Sequence, residues 1–419
     1  AKWHQYEPAN RDNARSGAII ALGQSLNTYY DLSQAKVILS LDADFTNSGP
    51  GSIRHARDFA AGRRIRDGHK NSNRLYTVES TPTATGSIAD HRLALGTAEI
   101  EAVVMKVAQG LGIEWQGPSA SSDFSAHDAW IDALVTDLKS NRGSSLVIAG
   151  DQQSPAVHAL SHAINQVLGN TGKTLYYTEP LEVDPVDQLQ SLTDLVGEMN
   201  AGKVEVLLIL GGNPAYDAPA DLDFTMALDK VNYRVHLGMY ANETSELSHW
   251  HIPESHYLEA WSDNRSHTGL ASIVQPLIQP LYNTKSIHDM LAVLTGQPGV
   301  PGLEIVNKYW ESQGIGAIAW RRSLHDGFIE GASSPTVMSQ VNEFSLPTTT
   351  GRLTDEEDLE IHFRPDPLIW DGRFVNNAWL QETSKPITKL TWDNAALVSP
   401  STAERLRLKG ETLAQLRFD

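Results

Sequence analysis

The chain has 419 residues, too many for one ordinary domain, and its 41% apolar content with 10 Trp suffices for large cores. A formal net charge of −18 argues against nucleic acid, which is held by Lys and Arg, and suits a solubilising face or one for a basic partner. Without Cys the chain can hold no disulfide, thiolate-bound zinc, cysteine-ligated iron–sulfur cluster or covalent c-type haem, and no apolar run approaches the roughly 20 residues that cross a bilayer.

Val37 to Leu41 (VILSL) is a short apolar run that reads as a strand. Ser52 to Arg66 reads as a helix, with Ser52 as N-cap and Ile53, Ala56 and Phe59 or Ala60 on one face. Arg74 to Ser80 is the next strand, and Ile100, Val103, Val104, Val107 and Leu111 then recur at helical spacing. Ser144 to Gly150 (SSLVIAG) restarts the pattern. Ser154-Pro155 opens a helix carrying Val157, Leu160, Ile164 and Val167, and Asp184-Pro185 opens another carrying Leu189, Leu192, Val196 and Met199. The apolar run to Leu210 and the segment Tyr233 to Tyr240 are further strands. Strands separated by helices predict right-handed βαβ units, a mostly parallel sheet and an α/β fold.

The texture changes beyond about residue 326. Leu346 to Phe374 is rich in Pro, Thr and acid and has no helical period, which predicts an extended arm. Ser399-Pro400 caps a short helix, and the final TLAQLRFD reads as a strand just beginning, so the last fold unit is expected to be cut. The start at Ala1 fits a processed or excised piece.

A weak internal repeat aligns Lys36–Ser52 with Val204–Ala220, and Val78–Leu95 with Gly238–Pro253. It predicts two related α/β lobes, each with a loop at the carboxyl end of a strand. The expected divisions are 1–142 and 143–325 for the lobes and 326–419 for the arm and the start of a C-terminal unit.

Those loops are the first candidate sites. Gly211, Gly212, Asn213 and Pro214 could offer backbone N–H groups and an amide to a phosphate or heterocycle, or could simply form a tight strand-to-helix turn. The string is not G-x-G-x-x-G and lacks a Walker lysine. Asp42 and Asp44, followed by Thr46, Asn47 and Ser48, occupy the matching loop. Two carboxylates there would repel a phosphate, and could accept from a ribose, a guanine edge or a partner's arginine, or serve as turn formers. His249, His251, Glu254, His256 and Glu259 have metal-ligand chemistry but neither helical nor extended spacing throughout, with Pro253 between them, so buried hydrogen-bonded histidines are expected. Arg54, Arg57, Arg63, Arg64, Arg66, Lys70 and Arg74, with His55 and His69, form a basic concentration: a solvated face, an anion clamp at Arg54 and Arg57 or, preferred over these, a contact with an acidic partner subunit. Ser154, His158 and His162 share helical spacing, but Ser154 serves better as an N-cap than as a nucleophile.

Several stretches together resemble the molybdopterin oxidoreductases of the dimethyl sulfoxide reductase and formate dehydrogenase group. They are the strand-then-GGNP loop at Leu207–Pro214, Asn242–Pro280, Leu75–Leu95 and Asn376–Leu408. Trp3–Ala18, Ser40–Arg64 and Asn73–Arg92 resemble more narrowly the molybdopterin-like subunit of alternative complex III, whose relatives are often labelled iron–sulfur-cluster-containing hydrogenase components. The resemblance implies two Rossmann-like doubly wound lobes, then an extended arm entering a truncated β-barrel. It implies a periplasmic chain, membrane-associated through partners: a multihaem cytochrome and quinol-binding membrane subunits. In the wider family the cofactor is molybdopterin guanine dinucleotide. In the narrower group that cofactor is absent, and iron–sulfur clusters sit in a further C-terminal portion. Gly211 to Pro214, Asp42 and Asp44 are then vestigial cofactor-loop positions, with no catalytic and no metal-ligating residue expected. The alternatives are a working molybdenum oxidoreductase whose cofactor loops are Gly211–Pro214 and Asp42–Ser48, and a nucleotide-binding module.

Overall fold

The computed structural model describes residues 1–65, 72–118, 125–347, 359–410 and 413–415. In chain order, α1 (Asp12–Leu22) precedes β1 (Asn27–Tyr30) and β2 (Val37–Leu41). Next come α2 (Ser52–Gly62), β3 (Arg74–Glu79), α3 (Ala84–Ser87), β4 (His91–Ala94), α4 (Thr97–Gly110) and α5 (Asp128–Ser140). A second run holds β5 (Ser145–Ala149), α6 (Pro155–Val167), β6 (Leu175–Thr178), α7 (Gln188–Asn200), β7 (Val206–Leu210) and α8 (Pro214–Asp217). Then follow α9 (Phe224–Leu228), β8 (Tyr233–Gly238), α10 (Glu243–Glu246), β9 (Trp250–Pro253), β10 (Ser262–Arg265) and β11 (Ala271–Val274). The last long helices are α11 (Ile287–Leu294), α12 (Gly302–Ser312) and α13 (Ala317–Asp326), before β12 (Thr336–Val337).

The fold is mixed α/β with parallel sheets. One sheet has the order β4-β3-β2-β5, parallel throughout, with Val37 opposite both Arg74 and Ser145. β2 lies at its centre, and all five residues are buried, as a continuous apolar run in a covered parallel sheet requires. A second parallel sheet has the order β7-β8-β9. Antiparallel pairing joins β1 and β12 to β6, and β10 to β11.

The helix patterns are largely those in the sequence, with local differences: α2 ends at Gly62 rather than Arg66, Leu189 of α7 is exposed, and the caps and one buried face shift. Gly51, at φ 82°, caps α2 in place of Ser52, and the buried face runs through His55 and Phe59 while Ile53 is 89% exposed. α7 begins later than Asp184-Pro185: its cap is Asp187, whose side chain accepts from Gln190 N. Ser154 caps α6 with Pro155 behind it, as expected.

The largest core runs from Ala18 to Tyr177 and takes in Phe344 and Leu346 from the returning chain. The expected division at 142/143 therefore falls inside one core, because β5 is the fourth strand of the first sheet. Separate cores gather at Leu192–Val231, under the second sheet, and at Ala271–Ile329. Of the final TLAQLRFD, Leu413, Ala414 and Gln415 are described and form no strand, and the rest lies outside the described residues.

The repeat is plain in the backbone, one residue out of step with the strings as aligned above: Val37 corresponds to Val206. Tyr76 pairs with His91 as Val235 pairs with Trp250. Asp42 N donates to Val78 O at 2.7 Å, and Gly211 N to Leu237 O at 2.8 Å. Asp90 N to Leu75 O and His249 N to Arg234 O are both 3.0 Å.

Candidate functional site

The repeat makes Asp42 the counterpart of Gly211, and Asp44 that of Asn213. Both first positions need left-handed backbone, with φ 56° at Asp42 and 70° at Gly211, and glycine adopts it without strain. The next two pairs share one device. In the first loop Asp44 Oδ1 accepts from Thr85 N at 2.8 Å, and Thr46 N donates to Thr85 Oγ1 at 3.2 Å. In the second, Asn213 Oδ1 accepts from Thr244 N at 3.2 Å and from Thr244 Oγ1 at 2.8 Å, and Ala215 N donates to Thr244 Oγ1 at 3.0 Å. A buried threonine thus ties each loop to the turn after the next strand.

Beyond that device the loops diverge. Asp42 is 1% exposed, and its Oδ2 accepts from Gln153 Nε2 at 3.0 Å and from Arg364 Nη2 at 2.6 Å. Gln152 Nε2 holds the Asp42 carbonyl at 2.8 Å, and Arg364 Nη2 also reaches Ser80 Oγ at 2.9 Å. The arginine comes from the arm, so the arm closes over the end of β2. A Cβ on Gly150 would lie 2.2 Å from the Asp42 carbonyl oxygen, so β5 must end in glycine here. At the second loop a Cβ on Gly211 meets nothing within 4 Å. Gly212 O accepts from His236 Nε2 at 3.3 Å, Asn213 Nδ2 donates to Glu243 Oε2 at 2.7 Å, and Pro214 starts α8. All six candidate loop residues thus lie at the carboxyl ends of β2 and β7.

Sequence reasoning missed the crevice between β2 and β5. The order β4-β3-β2-β5 reverses there, and such switch points hold ligands in open parallel sheets. A cavity of about 340 Å³ opens at this place, lined by Asp44, Gly49, Asp151, Arg11, His55 and His158 among others. Arg11 Nε donates to Asp151 Oδ1 at 3.0 Å. Burial lowers His55 and His158 to about 4, and neither Nε2 has a hydrogen-bond partner. Burial raises Tyr30 to about 12. The partly exposed Arg11–Asp151 pair gives the pocket a donor and an acceptor, while the unpartnered Nε2 atoms of the two neutral imidazoles are themselves buried. The available signal was that a glycine, Gly150, ends the strand neighbouring VILSL, but the neighbour relation is tertiary.

The other sequence candidates are dispersed. Arg54 and Arg57 share Asp58, Arg63 pairs with Asp90, and Arg74 with Asp137. Arg66, His69 and Lys70 lie outside the described residues. His249 Nδ1 accepts from Arg234 N, His251 faces His236 at 3.2 Å, and Glu259 accepts from His256 N and Leu281 N. Among the described residues no three His, Asp or Glu gather at metal-binding spacing, and no helix is long and apolar enough to cross a membrane.

No family model matches the chain, and neither does any curated protein. Among solved structures it is similar to acetylene hydratase from Pelobacter acetylenicus, at 13% identity and a TM-score of 0.51, over 74% of this chain and 54% of that one. It is also similar to the formyltransferase/hydrolase complex from Methylorubrum extorquens in complex with methylofuran, at 12% identity and a TM-score of 0.40, over 66% of this chain and 78% of that one. The chain spans about half the length of acetylene hydratase, and at 13% identity what the two share is the fold alone.

Proposed function

We propose that this chain is a molybdopterin-oxidoreductase-like scaffold portion, without bound cofactor, of a periplasmic, membrane-associated, quinol-oxidising electron-transfer complex. The fold-level likeness to acetylene hydratase, a molybdopterin enzyme, supports the superfamily part of this reading. Two Rossmann-like doubly wound lobes and a truncated barrel belong to the same proposal. The multihaem cytochrome and quinol-binding subunits enter through the sequence resemblance to alternative complex III.

One observation carries the cofactor-free reading: the Asp42 carboxylate is buried and committed to Arg364 and Gln153. A pterin dinucleotide needs N–H donors for its pyrophosphate. This loop offers a carboxylate, and the second loop sets the Glu243 carboxylate against Asn213. An aspartate can ligate molybdenum, but the lone pairs of Asp42 Oδ2 are already engaged. The residues present do not fit the group, and without Cys the chain supplies no cluster ligands for electron tunnelling. Metal analysis and pterin extraction of the purified chain test this. Neither molybdenum nor fluorescent pterin is expected, and stoichiometric amounts of either overturn the reading.

A second reading, a small-molecule-binding module unrelated to redox, is favoured by the cavity at the switch point with its Arg11–Asp151 pair. Native mass spectrometry of the purified chain separates it: a retained organic mass that His158→Leu releases supports the module.

A further inference from the structure

The repeat leaves one strand unaccounted for. β2 and β7 are counterparts, and each pairs on one side with the next strand of its unit. On its other side β2 is covered by β5, which runs parallel from Val37↔Ser145 to Leu41↔Ala149. Among the described residues nothing pairs with that side of β7, which is the edge of its sheet. Exposure follows: Val37 is 3% exposed and its counterpart Val206 63%, and the other four residues of β7 are half-buried where those of β2 are fully buried. A five-residue apolar edge with free N–H and C=O groups is a template for strand addition.

We propose that the open edge of β7 receives a parallel, apolar extended segment of a second polypeptide, flanked by Lys and Arg. The register of β5 on β2 gives the direction and the apolar character. Charge gives the flanks: residues 188–254 carry ten Asp and Glu against three Lys and Arg. The same charge disfavours a second copy, because a two-fold pairing of β7 edges is antiparallel and sets two acidic units together. The inference rests on the repeat and does not need the cofactor-free reading, so metal or pterin in the chain would leave it standing.

The probe is a labelled synthetic peptide with the β5 sequence Ser-Ser-Leu-Val-Ile-Ala-Gly between three lysines at each end, titrated into the full chain. Alternate residues of a strand point their N–H groups to opposite sides. Since Gly211 N bonds β8, Leu208 and Leu210 donate outward. Leu208→Pro therefore removes an outward donor and leaves the β8 ladder intact, as an edge strand tolerates. Saturable binding is expected, with slowed amide exchange at Leu208 and Leu210. It should fall at least about tenfold for a glutamate-flanked peptide and about tenfold in a Leu208→Pro chain whose melting curve stays cooperative. No protection at those amides, or equal binding by Leu208→Pro, overturns the proposal. If the chain alone forms a dimer that Leu208→Pro dissolves, the occupant is a second copy and the partner assignment fails.

Discussion

The loops after β2 and β7 start from one backbone and end differently. Both begin with a left-handed residue bonded to the neighbouring strand, and both are tied down by a buried threonine. The first is then filled: Asp42 draws in Gln153 and, from the arm, Arg364. The second is left open, with two glycines and, among the described residues, no covering strand. A repeated unit thus fixes where a site can be, and the long-range contacts added later decide whether it is closed.

Breaking the closure should have the largest effect. Asp42→Ala leaves the partly buried Arg364 guanidinium and the Gln153 amide without their acceptor, and alanine is strained at φ 56°. A loss of about 3–5 kcal/mol is expected by urea unfolding, with the arm cleaved faster by protease. Asp42→Asn, which tolerates left-handed backbone and keeps a carbonyl acceptor, should lose less. Equal stability of Asp42→Ala and the parent chain would mean that the arm does not close this loop.

Acid should act oppositely on the two regions. Burial lowers His55 and His158 from 6.5 to about 4 and His162 to about 3, so each unfolded imidazole binds a proton that the folded one refuses. Their contribution is complete above pH 6.5 and is lost as pH falls toward 4, on the order of 3 kcal/mol for each fully buried ring. The charged groups around them, Arg11, Asp151, Arg54, Asp58 and His267, partly cancel. Beside the open loop, burial and the nearby Asp371 raise Asp217 to about 6. Its contribution is present below pH 3.8 and is lost as pH rises through 6. Unfolding free energy measured from pH 7 to 4 should fall steeply in the parent chain, less steeply in His158→Gln, and more steeply in Asp217→Asn.

Much of this fold is written locally. VILSL, the Ser154-Pro155 cap and the period through Ile100, Val103, Val104 and Val107 each identify their element without help from distant residues, because the pattern and the burial coincide. The buried face of α2 departs from the apolar period because His55 takes a buried place that periodicity assigns to an apolar residue. The point 142/143 lies inside one core for a related reason: nothing in SSLVIAG says which strand it will lie beside. The site divides the same way. Asp42 and Gly211 stand out in their own loops, whereas Arg364 and the Arg11–Asp151 pair become neighbours only when distant segments meet. Side chains that act through partners hundreds of residues away leave no spacing to read.

The shared part of the comparison can be measured with one substitution in each unit. Thr85→Val removes the acceptor of Thr46 N, and Thr244→Val removes that of Ala215 N. Both threonines are fully buried, so each loss should cost about 1–3 kcal/mol, the price of a buried donor left without a partner. If the repeat is energetic as well as geometric, the two values agree within about 0.5 kcal/mol. A large gap would show that only one loop still depends on its tie.

The smallest effect tests the openness of the second loop. Gly211→Ala places a Cβ in free space, so only the left-handed backbone at φ 70° opposes it, for about 1–2 kcal/mol. Gly211→Asn should cost less, since asparagine visits that region readily. Gly150→Ala has no such freedom, because its Cβ meets the Asp42 carbonyl oxygen at 2.2 Å and β5 must move off β2. Chemical denaturation of the three variants should therefore rank Gly150→Ala well below the others. Should Gly211→Ala prove as damaging as Gly150→Ala, something in solution already fills the space beside β7, and the difference between the loops would lie in the identity of the covering chain rather than in its presence.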